Sequence, residues 1–356
     1  MSNLQLALPG LLDESERAEE WVWRDDFDEV ADVKRFEHAT VMRDEIARAI
    51  APRPGGVYVD ATLGGGGHTV ALLELEPRAR IVAFDRDAVA IEAARERLTP
   101  VADRVTLVHA PFSTLRDRLA ALGVERVDGL IADLGVSSPQ IDDPERGMSF
   151  RHEGPIDMRM DRGSGETALE LIERLSDEDL ANVIYEFGDE RRSRRIARSI
   201  KKALAADELN TTLDLRRAIV RAVGPVRVGG IDPATRTFQA IRIFVNGELD
   251  ELQALLAALP EVVAEGGHAA LLSFHSLEDR LVKRAFAVDP WRPTTKKPQL
   301  PTDEECAMNG RARSAKLRVA RRAGASEDGA DDRKRARREA PSEPVESGPA
   351  LPEEDE

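Results

Sequence analysis

Apolar positions in this chain follow two alternating patterns. Short, nearly continuous apolar runs at residues 57–63, 79–85, 105–109 and 128–133 read as buried strands. Between them, apolar residues recur at helical spacing. Residues 69–75 follow the first run, Ile91, Ala94 and Leu98 the second, and Leu115, Leu119 and Leu122 the third. Asp87 and Ser113 are placed to cap the second and third helices, and Gly123 to end the third. Strands alternating with helices predict a parallel, doubly wound sheet, whose ligands bind beyond the carboxyl ends of the strands. Asp60, Asp85, Phe112 and Asp133 all fall at those ends.

The alternation stops at residue 141. Residues 142–165 are rich in turn formers, and three amphipathic helices follow. Ser176 caps the first, with Leu180, Val183, Ile184 and Phe187 on one face and Gly188 at its end; the second buries Ile196, Ile200 and Leu204; the third runs from Thr212 through Leu215, Ile219 and Val223. The sheet pattern resumes with a long helix over about 237–259, a strand over 268–274 and a helix through Leu281, Ala285 and Phe286. Alternation of basic with small or apolar residues over 314–319 predicts a final antiparallel strand. The expected organisation is a sheet domain over 37–141 and 235–324, a helical insertion over 142–234, and terminal segments 1–36 and 325–356.

Charge sharpens this division. The formal net charge is −15, but residues 1–36 hold ten acidic against four basic side chains and 325–356 hold eleven against five, so most of the excess is terminal. With little periodic apolar content, both ends read as largely disordered; Trp21, Trp23 and Phe27 form either a short docking helix or a loose segment patched onto the domain. Residues 191–227 reverse the sign, with eleven basic side chains against three acidic, among them Arg191, Arg194, Arg195, Arg198, Lys201 and Lys202. Arg311, Arg313, Lys316, Arg318, Arg321 and Arg322 form a second run without an acid. A basic helix face is either solvated or bound to phosphate; two such stretches in an acidic protein favour an RNA-binding role.

One cysteine, Cys306, excludes an intramolecular disulfide framework, and no uncharged apolar run approaches the length of a membrane span. A soluble, cytoplasmic protein is expected, and nothing in the chain excludes a homodimer. The six histidines are scattered, so no metal set is evident. Ser137 and Ser138 lack the Gly-x-Ser-x-Gly elbow of a serine hydrolase, and His275 is either an acid–base group or structural.

The chemistry concentrates at Gly64-Gly65-Gly66-Gly67-His68, where a strand turns into a helix and a ligand can approach the backbone. The dinucleotide fingerprint needs a glycine where Thr69 stands, and Asp60 just before the loop would repel a pyrophosphate. Carboxylates favour a cation such as the sulfonium and ammonium groups of S-adenosylmethionine, with Asp85 on the ribose. Two other readings stay open: an NAD-dependent oxidoreductase, and an RNA-binding assembly factor with no catalytic activity. Residues 147–161 read either as a lid, with Phe150 free to stack on a base, or as a packed loop.

With these residues assembled, the chain resembles the MraW family of 16S rRNA methyltransferases. The matching blocks are His38-Ala-Thr-Val-Met42, Asp60 to His68, Asp133-Leu-Gly-Val-Ser-Ser-Pro-Gln140, Gly154 to Asp161, Pro233 to Ala240, Phe274-His-Ser-Leu-Glu-Asp-Arg280 and Arg311 to Lys316. The resemblance implies a class I, Rossmann-like S-adenosylmethionine-dependent methyltransferase sheet with a helical insertion. It also implies methyl transfer to N4 of a decoding-centre cytidine of 16S rRNA within the small ribosomal subunit. Carried over by position, it places Gly66, Gly67, His68, Asp85, Phe112, Asp133 and Gln140 around the donor. Asp232 and Gly310 stand where the family usually has His and Pro. The Asn/Asp-Pro-Pro-aromatic motif common in amino-methylating enzymes is absent, which leaves Asp133, Ser137 and Ser138 as candidates to position the acceptor amine.

Overall fold

The structure, a computed structural model, describes residues 40–225 and 232–324. Trp21, Trp23, Phe27, His38, Arg227 and the tail after 324 therefore lie outside the described residues. A helix not anticipated from the pattern, α1 (Arg43–Ala49), precedes the sheet. Then β1 (Val57–Asp60), α2 (Gly67–Leu75), β2 (Arg80–Asp85), α3 (Ala88–Arg97), β3 (Val105–His109), α4 (Leu115–Ala121) and β4 (Val127–Asp133) follow in the predicted alternation. Asp87 caps α3 by accepting the Val89 N–H at 3.0 Å, and Gly123 takes a left-handed φ of 72° after α4. Ser113 does not cap α4. It lies in a 3-10 turn and bonds through both N–H and hydroxyl to Glu251, across 138 residues that local pattern cannot bridge.

After β4 come α5 (Ser138–Asp142), α6 (Ala168–Arg174), α7 (Asp177–Gly188), α8 (Ser193–Ala205) and α9 (Thr212–Val223). Ser176 caps α7 as expected, accepting from the Asp179 N–H at 3.0 Å. The left-handed residue at its end is Asp189 rather than Gly188; Gly188 is needed because a Cβ there would lie 2.6 Å from the Arg236 carbonyl. The long helix expected over 237–259 is two helices, α10 (Thr235–Asn246) and α11 (Glu248–Val262), broken where Gly247 adopts φ 58°. They serve different cores: Phe238 and Ile241 of α10 pack with the helices α6–α9, whereas Leu252, Leu255 and Leu259 of α11 pack on the sheet. Each buried leucine contributes about 1.5–3 kcal/mol, more than a cap's ~1 kcal/mol, so packing decides where the helix bends.

The chain closes with β5 (Val263–Ser273), α12 (Ser276–Ala285), the short β6 (Trp291–Pro293), α13 (Asp303–Met308) and β7 (Lys316–Arg322). The sheet order is β3-β2-β1-β4-β5-β7-β6, parallel through β5, with β7 antiparallel to both neighbours. One face is covered by α4, α11 and α12 and the other by α1, α2 and α3, which is the doubly wound, Rossmann-like arrangement. The strand order reverses between β1 and β4, and their carboxyl ends open a crevice. Among the described residues no helix is long and apolar enough to cross a membrane.

A buried polar brace fixes the 142–165 segment to the sheet. Arg146 Nη2 donates to Asp87 Oδ2 and to the Met160 carbonyl, both at 2.6 Å, while Gln140 Nε2 donates to the same Asp87 oxygen at 2.8 Å. Asn246 Oδ1 accepts the Met160 N–H at 2.7 Å and its amide donates to the Met158 carbonyl at 2.8 Å. Gly147 packs so closely that a Cβ would sit 2.0 Å from the Pro155 carbonyl oxygen. Phe150 meets the Phe238 ring edge-on at 4.9 Å, with the Arg216 guanidinium 5.9 Å from its own ring centroid. The segment is thus a packed loop, and Phe150 is not free to stack.

Candidate active site

The carboxyl ends of β1, β2, β4 and β5 converge on a cavity of about 300 Å³. The loop after β1 forms its floor. The Leu63 N–H donates to the Phe84 carbonyl at 2.8 Å and the Gly64 N–H to Asp85 Oδ2 at 2.8 Å, so the glycine turn is tied to the end of β2. Gly64, Gly65 and Gly67 line the cavity. Gly66 does not; it supplies the left-handed turn (φ 76°) that starts α2 and faces Leu98. A Cβ on Gly67 would fall 1.8 Å from Thr40 Oγ1, so the segment before α1 closes down on the turn. Thr40 and Val41 accordingly join the wall, and the Met42 N–H is held by Glu305 Oε1 at 2.7 Å.

Of the predicted site residues, Gly67, His68, Asp85, Phe112, Asp133, Ser137, Ser138 and Gln140 are brought together around this cavity. Asp85 accepts the Gly64 and Asp87 N–H groups, and burial pushes its carboxyl up to about 6. Asp133, at the end of β4, is anchored by its backbone N–H on Thr62 Oγ1 at 2.5 Å, which leaves its carboxylate to the cavity. Asp133 Oδ2 stands 3.4 Å from Nε2 of His68, whose side chain is only 5 % exposed. Asp133 Oδ1 and both ring nitrogens of His68 are buried without a hydrogen-bond partner. Buried polar atoms are nearly always bonded, so this trio fits a ligand's own donors and acceptors.

Two expectations change. Asp60 does not line the cavity: it is 1 % exposed, bonds inward to Thr69 Oγ1 at 2.7 Å, and burial raises its pKa. Its supposed repulsion of a pyrophosphate therefore does not act at the ligand, and Asp133 is the carboxylate that favours a cation. Gln140 is committed structurally, its Oε1 accepting the Ser137 N–H at 3.0 Å and its Nε2 donating to Asp87. It borders the cavity while rigidifying the turn that carries Ser137 and Ser138.

Sequence reasoning did not assemble the far wall, formed by Gln239 and Arg242 of α10, Phe274 and His275 after β5, and Asn309, Arg311 and Ser314 before β7, although it had weighed His275 as an acid–base group. Gln239, Phe274, His275, Arg311 and Ser314 lay within matched blocks, which is the signal that marks them. His275 is the N-cap of α12, with Nδ1 accepting the Glu278 N–H at 3.4 Å and Nε2 3.1 Å from Glu278 Oε1. Glu248, distant in sequence, places its carboxylate with His275 and Glu278 so that ligand-type atoms of all three lie within 4.8 Å of one another. Both oxygens of Glu248 are already engaged by Arg242, at 2.8 and 2.9 Å, so the cluster reads as a buried ion network bracing α10 against α12.

The basic stretch divides by partner. Arg216, Arg217 and Arg221 pair with Asp232, Asp214 and Glu208. On and just before α8, Arg191, Arg194, Arg195, Arg198 and Lys202 are exposed and Lys201 half-buried, and none forms an ion pair among the described residues. In the second run, Lys316 and Arg318 share Asp279, Arg311 pairs with Asp142, and Arg322 donates to the Val263 carbonyl. Most of that run is therefore internal wiring.

Comparison with known proteins agrees with this architecture. A family described as "MraW methylase family" matches residues 35–323. A protein of Sorangium cellulosum named "Ribosomal RNA small subunit methyltransferase H" is 63 % identical over 82 % of this chain and 92 % of its own. Proteins of the same name from Synechococcus elongatus (48 % identical; 81 % of this chain, 95 % of theirs) and Burkholderia vietnamiensis (46 %; 81 % and 98 %) match as well. The glycine turn, the β4 carboxylate and the helical insertion all lie inside the matched region, and the chain belongs to the MraW methylase family.

Proposed function

We propose that this protein transfers a methyl group from S-adenosylmethionine to the exocyclic N4 amine of a decoding-centre cytidine in 16S rRNA. The observation that carries the reading is the Asp133 carboxylate, with Oδ1 unpartnered and Oδ2 beside His68, lining with Ser137 and Ser138 a cavity that opens from the glycine turn. Family membership and the printed names of the relatives support the rRNA substrate. The donor supplies an electrophilic methyl on a sulfonium: the amine nitrogen forms the new N–C bond as the C–S bond breaks, neutral S-adenosylhomocysteine departs, and the amine loses a proton.

Cytosine N4 is a weak nucleophile because its lone pair is delocalised into the ring. Orientation in line with the methyl is then the main contribution asked of the protein. Asp133 and the two hydroxyls provide acceptors for the amine's N–H bonds, and Asp133 also offsets positive charge on the donor. Asp85 receives ribose hydroxyls, and Phe112 forms an adenine wall. The exposed Arg191, Arg194, Arg195, Arg198 and Lys202, with the half-buried Lys201, bind the RNA backbone. Mass spectrometry of rRNA nucleosides from a deletion strain tests the reading; an unchanged N4-methylcytidine content would remove the assignment. Donor titration against NAD separates an oxidoreductase, and absent transfer of labelled methyl to rRNA would instead favour an assembly factor.

Two further results are expected. Because the Asp85 carboxyl is raised to about 6, its protonated form dominates below that pH and cannot accept two backbone N–H groups and a ribose hydroxyl together. Donor affinity should fall about tenfold between pH 7.5 and pH 5, as the competent ionised fraction drops by that factor. Folding stability moves the other way: the native state holds this proton more tightly than the unfolded chain, so Asp85 costs stability as pH rises from 3.8 through about 6. Calorimetry across that range checks the first statement, and Asp85→Asn should flatten the profile. Separately, replacing Arg194, Arg195 and Arg198 with Gln should weaken RNA binding and reduce its salt slope by about 2, at ~0.7 per phosphate contact, while sparing donor affinity. An unchanged slope in filter-binding titrations would exclude this face from the RNA site.

A further inference from the structure

The methyl-transfer cavity does not end at its own rim. Asn309 and Arg311 line it on one side and a second, shallower cavity on the other, completed by Asp142, Arg151, Met308, Gly310 and Arg313. The charge balance of this groove is set by one pairing. Arg311 Nη2 bonds Asp142 Oδ1 at 2.6 Å, which neutralises the groove's acid and fixes its wall. Arg151 and Arg313 are both exposed, and neither forms an ion pair among the described residues, so the groove carries two uncompensated guanidinium groups. Met308, at the end of α13, is 85 % exposed and offers a polarizable thioether on the same surface.

The turn carrying these residues is built rather than loose. Asn309 Oδ1 accepts the Arg311 N–H at 3.1 Å, the Ala312 N–H donates to the Asn309 carbonyl at 3.0 Å, and the Asn309 N–H donates to the Glu305 carbonyl at 2.7 Å. A nucleotide that inserts its base into an enclosed cavity must leave its phosphodiester linkages at the mouth. Two guanidinium groups and an exposed apolar side chain lining one groove match the phosphates and a base of a single strand. We propose that this groove binds the strand flanking the acceptor nucleotide, with Arg151 and Arg313 on its phosphates and Met308 against a neighbouring base. The proposal rests on the RNA acceptor assigned above and adds a surface distinct from the basic face of α8.

The test is equilibrium binding of the full chain to an RNA stem-loop carrying the decoding-centre sequence, over a range of salt, with donor affinity measured in parallel. The double variant Arg151→Gln, Arg313→Gln should bind the RNA at least tenfold more weakly at about 0.1 M salt, with a slope smaller by about 1.4, and with donor affinity intact. The double control Arg80→Gln, Arg118→Gln, which removes two exposed cations lining neither cavity, corrects for net charge. RNA affinity and slope equal to those of that control would overturn the proposal. So would a loss confined to the donor, which would give the groove to the donor's carboxylate. RNA held through this groove but left unmethylated would refute the proposed function while leaving the surface standing.

Discussion

Asp133→Ala is expected to reduce methyl transfer by about 10²–10⁴-fold, equivalent to roughly 3–5 kcal/mol of barrier, with little loss of stability. Stability is spared because the bond that anchors this position, to Thr62 Oγ1, comes from the backbone N–H and survives the substitution. What disappears is the carboxylate facing the cavity: one oxygen without a partner, the other 3.4 Å from His68 Nε2. In the proposed reaction the substitution removes both an acceptor for the reacting amine and a negative charge that favours the sulfonium. Asp133→Asn separates the two, since it keeps an acceptor oxygen but not the charge. Single-turnover transfer from labelled donor at saturating RNA is the measurement. A purified alanine variant retaining more than about a tenth of the wild-type rate would take Asp133 out of the chemistry, since the expected loss starts at ~10²-fold.

Arg146→Ala is expected to cost about 3–5 kcal/mol of folding stability, because it strands a buried carboxylate. Asp87 and Arg146 are 4 % and 6 % exposed, and Arg146 Nη2 serves both Asp87 and the Met160 carbonyl. Gln140 and the Val89 N–H still reach Asp87 in the variant, but neither brings positive charge. Arg146→Lys should recover only part of the loss, since an ammonium cannot reproduce the planar fork. The effect should also reach the cavity: the Asp87 N–H donates to Asp85 Oδ1, so a disturbed brace loosens the carboxylate proposed to receive the ribose. Urea unfolding with donor titration reads both consequences. A loss below about 1 kcal/mol, the scale of an exposed pair, would show that this ion pair is not the brace described.

The two substitutions show different reaches of sequence reasoning. Asp133 was marked in advance by its place at the end of an apolar run, where a parallel sheet exposes its ligand crevice. Nothing local marked Arg146, because its partner lies 59 residues away and its own surroundings read as turn. The same distance effect misassigned Asp60, whose position before the glycine loop suggested contact with a ligand. The fold instead turns that side chain inward onto Thr69.

The sequence alone determined what depends on near neighbours. The alternation of runs and periodic helices, the caps at Asp87 and Ser176, the glycine turn before α2 and the unbalanced basic stretch around α8 are all set within a few residues, where period and backbone freedom act. Tertiary structure alone decided which charges remain available. It paired Arg216, Arg217, Arg221, Lys316 and Arg318 internally, left Arg194, Arg195, Arg198, Arg151 and Arg313 exposed, and broke the helix at Gly247 so that α10 and α11 serve separate cores. The reason is physical: burial and pairing free energies depend on which groups meet in space, and composition along a segment does not carry that information.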